Sequence, residues 1–173
     1  GDTITDDVGI AADLTLQNIE NTSGILVDAQ EPKITSVNVT TPDKTYGLNE
    51  DIVFDVVFDD SLVFSGTSST LQIKLTSGIE SAAFTSFSDD TLRYTYTVQA
   101  DDIALDGIEV MSMVKNTDVI SDDNGLGANL TLAGVEDLSG VKVDAKAPQV
   151  IGFTVPAAAT YTTDDVLTFQ VFF

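Results

Sequence analysis

Apolar and polar residues alternate along most of this chain with a period of two, the spacing of strands that bury one face. The clearest run is Leu92-Arg-Tyr-Thr-Tyr-Thr-Val98, in which Leu92, Tyr94, Tyr96 and Val98 face one way and Arg93, Thr95 and Thr97 the other. Leu71, Ile73 and Leu75 oppose Gln72, Lys74 and Thr76 in the same manner. From Ile52 to Phe58 both sets are largely apolar, which predicts a strand buried on both sides. A first strand is expected over residues 34–39, rich in Val, Ile and Thr behind Pro32. Shorter strands are expected at 62–64, 82–87, 108–114, 130–132 and 141–143. Between them, Thr40-Thr-Pro-Asp-Lys-Thr45 and Ser65-Gly-Thr-Ser-Ser69 read as loops. Ser77-Gly78, Ser88-Asp-Asp-Thr91 and Asp122-Asp-Asn-Gly125 read as turns. Asp101 to Gly107 reads as an acidic loop with one helical turn at Ile103-Ala-Leu105. Short strands at this spacing, without an amphipathic helix, predict an all-β fold of two sheets packed face to face.

The pattern also recurs. Val27-Asp-Ala-Gln-Glu-Pro32 returns as Val143-Asp-Ala-Lys-Ala-Pro148, a period of 116 residues. Backwards, the stretch from Asp2 through Asp13-Leu-Thr-Leu16 lies over Asp118 through Asn129-Leu-Thr-Leu132, with Ser23-Gly24 over Ser139-Gly140. Forwards, Tyr46 to Phe58 lies over Tyr161 to Phe173 after one deletion near Pro42. A fixed period of this kind marks an array of modules. The expected division is the end of one repeat in 1–28, a complete repeat in 29–144 and the beginning of a third in 145–173. Leu14 and Leu16, alternating with Asp13 and Thr15, are expected to form part of a bent last strand.

A unit of this length can bury one hydrophobic core. With 43% hydrophobic residues the chain is globular in composition, although 28 acids face only 7 bases for a net charge of −21. Such a surface repels nucleic acid and anionic membranes and attracts divalent cations. No run approaches the length of a membrane span. The chain has no Cys and no His, so disulfides, thiolate metal sites and imidazole chemistry are excluded. The missing Cys pair and Trp also exclude an antibody-type core, leaving other Ig-like or fibronectin-like sandwiches open.

Several motifs occur in a fixed order: the Asp-x-x-x-Pro joint at Asp28 and Asp144, Tyr46-x-x-x-Glu50, Tyr96-Thr-Val-Gln-Ala100, Asp106-Gly-Ile108, and a loop before Leu130-Thr-Leu132. In this order the chain resembles the bacterial Ig-like repeats of giant secreted and cell-surface proteins, particularly the swimming-motility type of repeat. It departs from them at Asp122-Asp-Asn-Gly125, where the family often has Asp-x-x-Gly-Asn. The resemblance implies an exported array, an Ig-like Greek-key sandwich per repeat, and a role as adhesin stalk or surface filament. It also implies calcium between modules.

Strands running alternately up and down would bring the joints to the poles of the complete unit. Asp28 and Glu31 are then expected near Asp59, Asp60, Asp122, Asp123 and Asn124, and Asp144 near Asp101, Asp102 and Asp106. Calcium takes six to eight oxygens, which clustered Asp, Asn and backbone carbonyls supply. Solubility alone also produces acidic loops, so solvated loops and calcium joints are both open readings. Asp89-Asp90 could suggest paired-carboxylate catalysis, but neighbours in a tight turn point apart and nothing around them marks a cleft. Tyr94 and Tyr96 could stack on a sugar, but they share parity with Leu92 and Val98 and read as core.

The expected function is a non-enzymatic structural repeat of an extracellular or bacterial cell-surface stalk or filament. Its partners are neighbouring repeats of the same chain and, in one variant, other copies joined by strand addition. The alternatives are a glycan- or protein-binding adhesive module and an accessory domain of an exported enzyme.

Overall fold

Ile52, Phe54, Val56 and Phe58 are all buried, and the strand that carries them is the second of a six-stranded sheet. The computed structural model describes residues 3–173; Asp2, where the repeat match begins, lies outside them. Among the described residues the protein is all-β, with thirteen strands and no helix. The large sheet runs in the order β1 (Ile34–Val39), β3 (Asp51–Phe58), β7 (Thr91–Thr97), β6 (Ile79–Ser88), β5 (Thr70–Lys74) and β9 (Glu109–Val114). Every neighbouring pair in it is antiparallel. Its register matches the alternation in the sequence. Ile52 stands opposite Tyr96, Phe54 opposite Tyr94 and Val56 opposite Leu92, so both strands present their apolar sets to one core.

Smaller pieces cover that core. In a three-stranded sheet, β11 (Val141–Asp144) lies parallel to β2 (Lys44–Tyr46) and antiparallel to β8 (Ile103–Ala104). Val141 and Val143 enter the core from it. The pair β4 (Val63–Ser65) and β10 (Val119–Ser121) brings in Phe64 and Ile120. Phe64 stacks at 4.6 Å on Phe84, which meets Tyr94 edge-on at 6.1 Å. The result is an all-β sandwich. A last pair, β12 (Gly152–Thr154) with β13 (Gln170–Phe172), stands apart with Phe153, Val171 and Phe172 exposed.

Four expectations need correction. No helical turn forms at 103–105. Asp101 adopts a positive φ of 70°, and Ile103-Ala104 pairs with β11, which buries Ala104. The strand expected at 82–87 is the ten-residue β6, the longest in the protein. It contains the expected span and extends past it at both ends, where β5 and β7 flank it. The loop expected at 40–45 ends early, since Lys44–Tyr46 is β2. Leu130-Thr-Leu132 makes no ladder. The segment follows β1 through single bridges at Lys33–Asn129 and Val37–Val135, interrupted where the Asn129 side-chain Oδ1 accepts the Thr131 N–H. Its counterpart Leu14–Leu16 likewise forms no strand and is exposed.

Candidate functional site

The acidic residues named from the sequence lie at two poles, and the structure uses them differently. At the first, the Lys33 N–H donates to Asp59 Oδ1 at 2.7 Å, and the Asn129 amide donates to Glu31 Oε1 at 3.0 Å. These bonds hold the entry to β1 between the β3 end and the 127–129 segment. Gly127 bridges Ser121, which brings the Asp122 turn to the same region. Asp122 is buried at 3% exposure; its Oδ1 accepts the N–H groups of Asn124 and Leu126, while its Oδ2 is buried without a hydrogen-bond partner. A buried carboxylate oxygen without a partner is costly. Asp123 and Asn124 are exposed on the turn, and Asp60 accepts only its neighbour Ser61 N–H. Asp28 is exposed, its Oδ1 receiving the Gln30 N–H.

At the second pole the joint is zipped by backbone. The Asp101 N–H donates to the Ala145 carbonyl, and the Ala145 N–H to the Asp102 carbonyl. Asp144 stands opposite Ile103. Asp101, Asp102 and Asp144 are therefore brought together as chain. The Asp102 side chain is spoken for: Oδ2 accepts the Tyr96 hydroxyl and the Gln99 N–H. Burial, then the bond and charge of Asp102, hold the Tyr96 hydroxyl well above the ordinary phenol range. Asp106 faces elsewhere, into a cleft shared with Glu136 and Asp137. Among the described residues no group of three or more acidic side chains reaches metal-ligating spacing in this conformation. The Asp122 carboxylate keeps one oxygen without a partner, whereas that of Asp102 is engaged by Tyr96 and Gln99.

The sequence reading passed over the most fully bonded carboxylate. Asp118, 4% exposed, accepts the N–H groups of Ser68 and Ser69 and the Ser68 hydroxyl, tying the 65–69 loop to the turn after β9. Burial raises its pKa, but these hydrogen bonds outweigh it and bring the carboxyl down to about 2. Gly66 belongs to this contact, because a Cβ there would stand 2.2 Å from Asp118 Oδ1. The Gly66-Thr-Ser-Ser69 run was the available signal: a loop of free N–H and O–H groups needs an acceptor.

The two ends of the chain repeat local geometry found between Val37 and Thr131. Asp6 Oδ1 accepts from Val8 and Ile10 as Asp122 Oδ1 does from Asn124 and Leu126. Gly9 and Gly125 follow with φ of 85° and 83°. Asp13 receives the Thr15 N–H as Asn129 receives that of Thr131. At the other end, β12 sets Phe153 opposite Val171, repeating Val37 opposite Val56. Burial and strand length differ: Val56 is fully buried and Val171 is 52% exposed, and β12 and β13 have three residues each where β1 has six and β3 eight. No family model, curated protein or solved structure matches the chain.

Proposed function

We propose that the chain belongs to a tandem array of Ig-like sandwiches that serves as a non-enzymatic stalk or filament outside a bacterial cell. Residues 29–144 form one unit, and the flanking residues are parts of its neighbours. The carrying observation is the recurrence of turns, caps and strand register at the sequence period, with Val171 exposed where its counterpart Val56 is buried. Strand order supports the Greek-key reading: β5, β6 and β7 follow one another as neighbours, and β3 lies beside β7. The backbone zipper between 101–102 and Ala145 supports a joint that transmits orientation from one unit to the next.

In this reading calcium stiffens the joint on the Asp122 side, where Glu31, Asp59 and the unpartnered Asp122 oxygen are the available donors. Loose in its absence, such a joint orders only where calcium is plentiful, at site affinities of about 0.1–1 mM.

The test is a chain carrying residues 29–144 twice in succession, which preserves the joint. Its thermal unfolding and small-angle scattering are measured in EGTA and in calcium. At tenfold excess over its dissociation constant, one joint site stabilises by about 1.4 kcal/mol, and the particle lengthens. An unchanged melting temperature with an unchanged profile removes calcium from the account; a collapsed, side-by-side profile removes the stalk.

A further inference from the structure

Outside the joints, β9 has one unpaired edge. It bonds along one side to β5, and among the described residues no backbone hydrogen bond leaves its other side. The segment 135–139 lies across a cleft from that edge. Its chain neighbours are already engaged with β1, since the Val37 N–H donates to the Gly134 carbonyl and the Glu136 N–H to the Val37 carbonyl. The parallel Val37–Val135 bridge runs through the groups on either side of Val135, so those of Val135 itself turn away from β1, on the side of the cleft that it lines. The β9 edge and the 135–139 segment thus line one space.

They meet at one end. A Cβ on Gly107 would stand 2.6 Å from both the Leu138 oxygen and the Ser139 Cα. Beyond Gly107 they diverge around a cavity of about 580 Å³. Ile108, Val110 and Leu138 are buried beneath it. Asp106, Glu109, Glu136 and Asp137 line it, while its single base, Lys74, is held by Glu109 at 3.0 Å.

We propose that this cleft binds an extended basic segment of a partner protein, added as a strand beside β9. Strand addition satisfies peptide groups that an open edge leaves unpaired. Alternate side chains of the incoming strand would reach the apolar floor, and the others, Lys or Arg, the carboxylates of the rim. A second copy of this chain is a poor occupant: it carries 28 acids and 7 bases, and the like charge opposes docking.

The experiment is an amide-resolved NMR titration of the 173-residue chain with three short peptides. One alternates valine and lysine, the second valine and glutamate, and the third is the lysine peptide N-methylated at alternate residues. The proposal expects the first alone to shift the amides of Glu109–Val114 and 135–139. It also expects Asp106→Lys, at an exposed position, to weaken that binding about fivefold while the spectrum stays dispersed. No shift overturns the proposal. So do shifts scattered over the acidic surface, and equal binding by the N-methylated peptide, which would make the attraction one of charge alone.

Discussion

Tyr46 and Tyr161 make the same hydrogen bond, each hydroxyl donating at 2.6 Å to the carbonyl four residues back, Pro42 for one and Ala157 for the other. Tyr46 is buried at 2% exposure and packs in the core; Tyr161 is 40% exposed. The local geometry is therefore the same in both stretches, and only their burial differs. Replacing Tyr46 with Phe should lower stability in urea unfolding by about 0.5–1.5 kcal/mol, the net worth of one intramolecular hydrogen bond. Tyr161→Phe should leave the same transition where it is.

Asp118 gives the fold an acid-sensitive point. Its carboxyl titrates near 2 in the folded chain against an ordinary 3.8. A folded pKa below the unfolded one contributes stability that is fully present above the unfolded value and lost as pH falls through the folded one. Urea midpoints should fall between about pH 4 and pH 2, and Asp118→Asn should flatten much of that slope. Asp118→Ala, which leaves the Ser68 and Ser69 N–H groups without their acceptor, should cost about 1–3 kcal/mol at neutral pH.

Two glycines separate backbone conformation from close approach. Gly125 has a φ of 83° and nothing within 4 Å of a Cβ position, so Gly125→Ala should cost about 1–2 kcal/mol from conformation alone. Gly107 has a φ of 101° and the Leu138 carbonyl 2.6 Å from that position. Gly107→Ala adds overpacking of about 1–3 kcal/mol to the same conformational strain, and it should wedge apart β9 and 135–139. Thermal melts of the two variants, side by side, check the order.

The strongest alternations in the sequence correspond to the best-buried strands, β3, β5 and β7, because a period of two with one apolar set is what a packed sheet face requires. β6 was less legible. Only Ala82 along it is fully buried, so the strand owes its existence to neighbours distant in sequence. The Ile103-Ala104 pairing was hidden for the same reason: its partner Val143-Asp144 lies forty residues on. The acidic joints were legible as clusters but not as bonds. Asp102 and Asp122 look alike in sequence, yet one carboxylate is held by Tyr96 and Gln99 and the other keeps a buried oxygen without a partner. Asp118 carried no periodic signal, since its role depends on a loop fifty residues away.

The repeat itself is the central claim, and it can be tested by completing it. Residues 59–144 appended after Phe173 would supply the β12–β13 pair with the strands that β1 and β3 have in the complete unit. Calorimetry of this chain should show roughly twice the unfolding enthalpy of the 173-residue chain, since enthalpy scales with the number of ordered residues. Amides around Phe153 and Val171 should become protected from exchange. An enthalpy left unchanged, with those amides still exchanging freely, would contradict the equivalence of the two segments and with it the array.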